Sequence, residues 1–302
     1  MTKFKAWVGA ARLRTLPLSV SGILVGTALA CYDGQFNSEI LLLALLTTVA
    51  FQVTSNFAND YGDGVKGTDN EDRIGPQRAL QSGVLKRKEL KKGIIISMVI
   101  DFILVIRLIY VAFGFEKMLY PLIFLVLGVL SIWAAIKYTV GRSAYGYRGL
   151  GDLFVFLFFG LLAVLGSMFL YTKHLTVLAL LPAIAIGALS TGVLNLNNLR
   201  DFNSDRKANK KTLVVNIGFN NGKKYHYGLL LSAFVSIITY SFISFEGWYV
   251  MLPLLAFIPI FIHLGKVYQT NEPRLFDPEL KKLALSTFLL AVLLYANCNI
   301  FL

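Results

Sequence analysis

Two stretches of this chain gather asparagines and aspartates. The first is Asn59-Asp60-Tyr61-Gly62-Asp63, continuing to Asp69, Asp72 and Arg73; the second is Asn197-Asn198-Leu199-Arg200-Asp201-Phe202-Asn203-Ser204-Asp205-Arg206. In each, an asparagine precedes carboxylates spaced i,i+3 or i,i+4, which sets the acids of that stretch on one face of a helix. Carboxylates bunched in this way repel one another, and near a bilayer they need something positive among them. Magnesium suits the role. It is a hard ion with oxygen ligands, it keeps several waters, and it bridges one or two carboxylates to the oxygens of a substrate phosphate. Zinc is disfavoured, because no His or Cys lies near either stretch. Arg73, Arg78, Arg142, Arg206, Lys210 and Lys211 supply cations suited to the remaining charge of a diphosphate.

The elements that must carry these acids are apolar. The 302 residues are 56% hydrophobic and only 15% charged, with a mean hydropathy of +0.64, against about 25% charged residues in a soluble domain. Runs near 16–32, 39–59, 93–113, 119–138, 152–172, 175–195, 227–244, 247–264 and 281–301 each approach the length of a spanning helix. The expectation is an all-α integral membrane protein, a bundle of nine transmembrane helices forming one domain over 1–302. Its first helix is retained, because the run after the basic start leads into further spans without a cleavage site. With the amino terminus cytoplasmic, the inner segments hold 26 of the 29 Lys and Arg. This asymmetry orients the bundle, puts the carboxyl terminus outside, and explains the formal charge of +12 without nucleic acid. Both acid stretches end helices separated by an even number of spans, so both face the cytoplasm. The two inner segments of about thirty residues, which hold the acids, are where function is expected. Asp101 and Arg107 are charges inside the third span, too far apart for one helix face, and each needs a partner elsewhere. His174, His226 and His263 fall at predicted span ends and read as interface residues, and Cys31 and Cys298 lie in no metal or redox motif.

On these residues the chain resembles the UbiA-type intramembrane prenyltransferases, whose motifs are NDxxDxxxD and a later DxxxD. Asn59-Asp60-Tyr61-Gly62-Asp63 and Asp201-Phe202-Asn203-Ser204-Asp205 match, while position 67, where the first motif has its third acid, is Gly, with Asp69 the nearest candidate. Tyr145-Gly146-Tyr147-Arg148-Gly149-Leu150-Gly151-Asp152, Asp72-Arg73-Ile74-Gly75-Pro76 and Asn197-Asn198-Leu199-Arg200-Asp201 are similar to the 1,4-dihydroxy-2-naphthoate prenyltransferases of menaquinone synthesis. The resemblance implies a helical bundle in the cytoplasmic (inner) membrane, open laterally to lipid, with its active site facing the cytoplasm. It implies transfer of a polyprenyl group from its diphosphate to 1,4-dihydroxy-2-naphthoate, with decarboxylation and with Mg2+ as cofactor. Asp60, Asp63, Asp201 and Asp205 would be catalytic and would bind the metal with Asp69; Asn59, Arg73, Arg78, Arg142 and Lys211 would hold the diphosphate. Arg142 ends Tyr138-Thr139-Val140-Gly141-Arg142, which corresponds to a YxxxK segment. Arg14, Tyr138, Tyr145, Tyr147 and Asp152 are the candidates for the acceptor, Arg14 lying with Arg12 just before the first span. Relatives with another acceptor, such as 4-hydroxybenzoate, homogentisate or haem, would share acids and fold. A secondary transporter is the rival of a different class, and it would place its ionisable residues nearer the bilayer midplane.

Overall fold

The apolar runs become helices in the computed structural model, which describes residues 2–68, 74–75, 78–114 and 118–300, the last by its backbone alone. Asp69, Asp72 and Arg73 fall outside the described residues. The main elements are α1 (Lys3–Ala11), α2 (Leu16–Tyr32), α3 (Ser38–Lys66), α4 (Arg87–Phe113), α5 (Leu119–Lys137), α6 (Gly151–Thr172), α7 (Val177–Arg200), α8 (Phe202–Lys207), α9 (Leu213–Ile217), α10 (Phe219–Ser244), α11 (Gly247–Gln269) and α12 (Asp277–Ile300). No strand occurs among the described residues. Eight helical stretches among them are long and apolar enough to cross a membrane: α1 with α2, then α3, α4, α5, α6, α7, α10 and α11. The expected ninth span corresponds to the 24-residue α12.

Local chemistry sets the helix ends. Asn37 caps α3 by accepting from the amides of Glu39 and Ile40, and Gly67, at φ 73°, ends that helix. The helix thus runs seven residues past the expected end at 59 and carries Asp60 and Asp63 within it. In the same way α7 runs on to Arg200, with Asp201 as its C-cap. Arg12 takes a left-handed conformation, φ 52°, and breaks α1 from the span that follows.

The bundle is layered from inside to outside. In α7 61% of the most apolar window is buried, against 11% in α5, so α7 is the central post and α5 a peripheral one. Around α7 pack α6, α10 and α12, while α2 lies against α3, α6 and α12. Lipid offers no hydrophobic drive for helices to associate, so close packing of small residues must do so. Gly160 of α6 meets Gly187 of α7, where an added Cβ would lie 2.5 Å from the facing Cα. An eleven-residue π-helical stretch, Phe156–Gly166, carries α6 through this contact. Ile95, Val99 and Ile103 on α4 and Leu122, Val126 and Val129 on α5 face outward, as a bilayer requires.

Charges inside the spans find partners. Asp101 accepts from the Thr54 hydroxyl at 2.7 Å, and Arg107 pairs with Glu39 at 2.6 Å. Two histidines depart from expectation, for His226 and His263 are buried in the bundle rather than at its interface. Their Nε2 atoms are 2.9 Å apart, and the Nδ1 of His263 lies 2.7 Å from a Glu279 oxygen, whose other oxygen accepts from Lys282. This chain of polar contacts ties α10, α11 and α12 together. His174 does lie exposed, beside Asp33.

Candidate functional site

Four segments converge at one end of the bundle: the last turns of α3, the loop 138–150 before α6, the α7–α8 junction, and the turn 208–212 after α8. The fit of the first two is close. Gly62 faces Thr139, whose Oγ1 would lie 2.5 Å from a Cβ at that position. Thr139 donates its hydroxyl to the Ala58 carbonyl at 3.0 Å and lies 3.2 Å from Asn59 Oδ1. The same loop brings Tyr147 to the acids, where its hydroxyl donates to Asp63 at 2.7 Å and lies 2.5 Å from the Thr68 hydroxyl.

The second acid stretch reaches the first through Lys210. Its ammonium is 3.5 Å from Asp205 Oδ1 and 5.5 Å from the centroid of the Tyr147 ring, while that of Lys66 is 3.7 Å from the same centroid. Asn209, at φ 53°, turns the chain so that Lys210 points inward. The Lys210 amide donates to the Asp205 carbonyl at 2.9 Å, which fixes the turn.

The four motif carboxylates, all buried, fall into two kinds. Asp60 is gripped: it accepts from Arg12 at 2.5 Å and from the Ala79 amide at 3.4 Å, with Arg78 at 3.3 Å. Asp201 is gripped as well, both its oxygens accepting from Arg200 at 2.8 and 2.7 Å, and Arg200 reaches on to Asp277 at 2.6 Å and Asn197 at 2.7 Å. Asp63 and Asp205 are held differently, Asp63 accepting from the Tyr147 hydroxyl and Asp205 pairing with the Lys210 ammonium. One Asp205 oxygen, Oδ2, is buried with no hydrogen-bond partner.

Electrostatics follow from that burial. Desolvation lifts the Asp205 carboxyl to about 6, with Lys210 opposing the shift and Asp201 and Asp63 adding to it. Burial works against the Lys210 ammonium, yet Asp205 and Asp63 outweigh it and raise its pKa. Tyr138, half-buried near Lys210 and Asp152, is pushed up to about 12, chiefly by desolvation. Burial, followed by the charge of Asp63, raises Tyr147 too, so both phenols are neutral donors.

The remaining candidates are spread over this end. Arg78 is on Asp60. Arg142 is exposed and lines a cleft of about 280 Å³ with Tyr61, Gly62, Val65, Lys66, Val140 and Gly141. Lys211 and Arg14 are exposed. Tyr145 is committed to packing, its hydroxyl donating to the Ala134 carbonyl and its ring stacked 3.9 Å from that of Phe154. Tyr138 lies edge-on to Tyr145. Asp152 is buried in the first turn of α6 with Oδ1 unpartnered. Three cations carry more of the site than their sequence context suggested. Arg12 has no motif, Arg200 looks like a helix-end basic residue, and Lys210 stands beside an identical neighbour.

The UbiA prenyltransferase family model matches residues 19–286. The chain belongs to this family. It is 44% identical to a 1,4-dihydroxy-2-naphthoate octaprenyltransferase of Escherichia coli over 97% of this chain and 96% of that one. Its identity to the protein of that description from Mycobacterium tuberculosis is 35% over 83% and 82%. Among solved structures, a UbiA homologue from Aeropyrum pernix superposes with a TM-score of 0.69 at 15% identity, covering 95% of this chain and 97% of that one. A UbiA homologue from Archaeoglobus fulgidus bound to GPP and Mg2+ gives 0.64 at 15% identity, covering 96% and 100%. This UbiA-family chain is thus a prenyltransferase and an integral membrane protein.

The family's metal chemistry can be tested against the side chains. Asp63 and Asp205 offer carboxylate oxygens, one of them buried and unpartnered, as a hard cation prefers. Among the described residues no three acidic, His or Cys side chains converge as a metal cage. The fit is therefore to an ion that brings its own waters and shares a substrate's oxygens, as magnesium does.

Proposed function

We propose that this UbiA-family prenyltransferase transfers a polyprenyl group from its diphosphate to 1,4-dihydroxy-2-naphthoate, releasing diphosphate and carbon dioxide and giving demethylmenaquinol. The convergence of Asp63, Asp205 and Lys210 at one end of an apolar bundle supports the reaction type. The relatives similar over nearly the whole chain support the acceptor. Bound magnesium would neutralise the diphosphate and make it a better leaving group. Asp63 and Asp205 would hold the ion, while Asp60 and Asp201, expected among its ligands, would act by fixing their segments through Arg12, Arg78 and Arg200. Asn59, Arg142 and Lys211 are the groups at this end for the diphosphate oxygens, and Arg73, outside the described residues, is given the same role from its sequence. The allylic C–O bond breaks, and its carbon bonds to the electron-rich ring. The surrounding Phe and Tyr side chains exclude water from the allylic cation. Tyr147 and Tyr138, both neutral donors, face this region and are the acceptor candidates best placed to orient a ring hydroxyl. The prenyl tail would stay in lipid, and the charge asymmetry supports a site on the cytoplasmic side, as expected for an enzyme of the inner membrane.

Purified protein given a polyprenyl diphosphate, the naphthoate and Mg2+ should release diphosphate with a prenylated, decarboxylated product. Chelator or Asp205→Asn should abolish both. Diphosphate release with 4-hydroxybenzoate alone would overturn the acceptor, and no release with any acceptor would overturn the reaction.

A further inference from the structure

Lys210 reaches Asp205 and the tyrosine on Asp63, and these two carboxylates are the ones that would hold a divalent cation. Its side chain is 11% exposed, 3.5 Å from Asp205 Oδ1, and beside the ring of the tyrosine that donates to Asp63. It occupies one Asp205 oxygen and leaves the other buried and unpartnered. The placement is built into the backbone, since Asn209 takes φ 53° and the Lys210 amide is tied to the Asp205 carbonyl, while Lys211 is exposed.

We propose that Lys210 is an internal counter-ion that competes with the divalent cation for Asp63 and Asp205, so that tight metal binding requires a diphosphate to draw its ammonium away. The inference rests on the reading of the site given above. An ammonium and a divalent ion among the same two carboxylates repel, and each lowers the other's affinity. A lysine ammonium is a point charge on a flexible stem with three rotatable donors, so it can pass from a carboxylate to a phosphate oxygen. Metal and diphosphate then bind cooperatively, each raising the affinity for the other by the same factor. The enzyme is thereby kept from holding metal without substrate.

The test is Mn2+ affinity, read by electron paramagnetic resonance on the full chain in nanodiscs, with and without the unreactive analogue farnesyl thiodiphosphate. The natural sequence should bind Mn2+ at least about tenfold more tightly with the analogue, within the usual range of site-to-site coupling. Lys210→Gln and the nearly isosteric Lys210→Met should each bind Mn2+ alone about tenfold more tightly than the natural sequence, and the gain from the analogue should shrink below about threefold. Lys210→Arg, which keeps the cation, should not gain affinity. Lys224→Gln removes the same charge from an exposed position of α10, and it should leave Mn2+ affinity within about twofold. If the two neutral variants bind Mn2+ no better than the natural sequence, the proposal is overturned. If the natural protein binds no Mn2+ even with the analogue, the metal reading of the site falls first.

Discussion

Replacing Asp60 strands two guanidinium groups, Arg12 and Arg78, that meet on its buried carboxylate. Asp60→Asn should therefore cost about 3 kcal/mol of stability, as expected when one partner of a buried ion pair is removed, and should lower the midpoint in a thermal scan. Asp205→Asn should also lower the midpoint, because it leaves the largely buried Lys210 ammonium without the carboxylate beside it, while kcat falls at least about 100-fold. The pH dependence follows from the same group. The folded pKa of Asp205, about 6, lies above the ordinary value of 3.8, so ionisation is penalised in the folded state and this group's contribution to stability declines as pH rises from about 4 to about 6. Metal binding needs the ionised form, so Mn2+ affinity should weaken as pH falls below about 6, and an affinity unchanged down to about pH 4 would mean that Asp205 is not the ligand that titrates.

At the scale of elements, α3 and the loop 138–150 meet so closely that Gly62 has no room for a methyl group, with the Thr139 backbone 2.7 Å from the added Cβ. Gly62→Ala should destabilise the protein by about 1–3 kcal/mol, as overpacking does, and lower kcat by turning Asp63 away from Tyr147; thermal scans and steady-state kinetics read the two effects. Hydropathy placed the spans well but ended α3 at 59 and α7 at 195. It reports where lipid ends, whereas Gly67 and Asp201 mark where the helices end. The aspartate spacing was legible because it is local. The arginines on Asp60 come from positions 12 and 78 and the phenol on Asp63 from 147, and no spacing rule reaches that far. Nor does sequence distinguish Lys210 from Lys211, since the left-handed Asn209 decides which one turns inward.

For the whole molecule, helical class and an acid-bearing end were legible from composition and loop charge, but the facing of each helix was not. His226 and His263 looked interfacial by position and are core by rotation, because an apolar run on all sides does not say which side meets protein. Orientation remains the prediction that the charge asymmetry makes. With Cys31 and Cys298 replaced by serine, an impermeant maleimide on intact cells should label Glu246→Cys and should reach Asn203→Cys only after permeabilisation. The reverse pattern would invert the bundle. The packing of α2 against α12 also sets a demand on the growing chain. These two helices are about 250 residues apart, so at roughly 5–20 residues per second a ribosome needs some tens of seconds to deliver the second after the first. Throughout that interval one flank of α2 meets lipid alone. Polar groups of α2 are prepared for the wait: Ser21 and Thr27 donate to the Pro17 and Ile23 carbonyls of their own helix, at 2.8 Å each, so neither depends on α12. A substitution on that flank whose polar atom only α12 could satisfy would harm biogenesis before it harmed the finished enzyme.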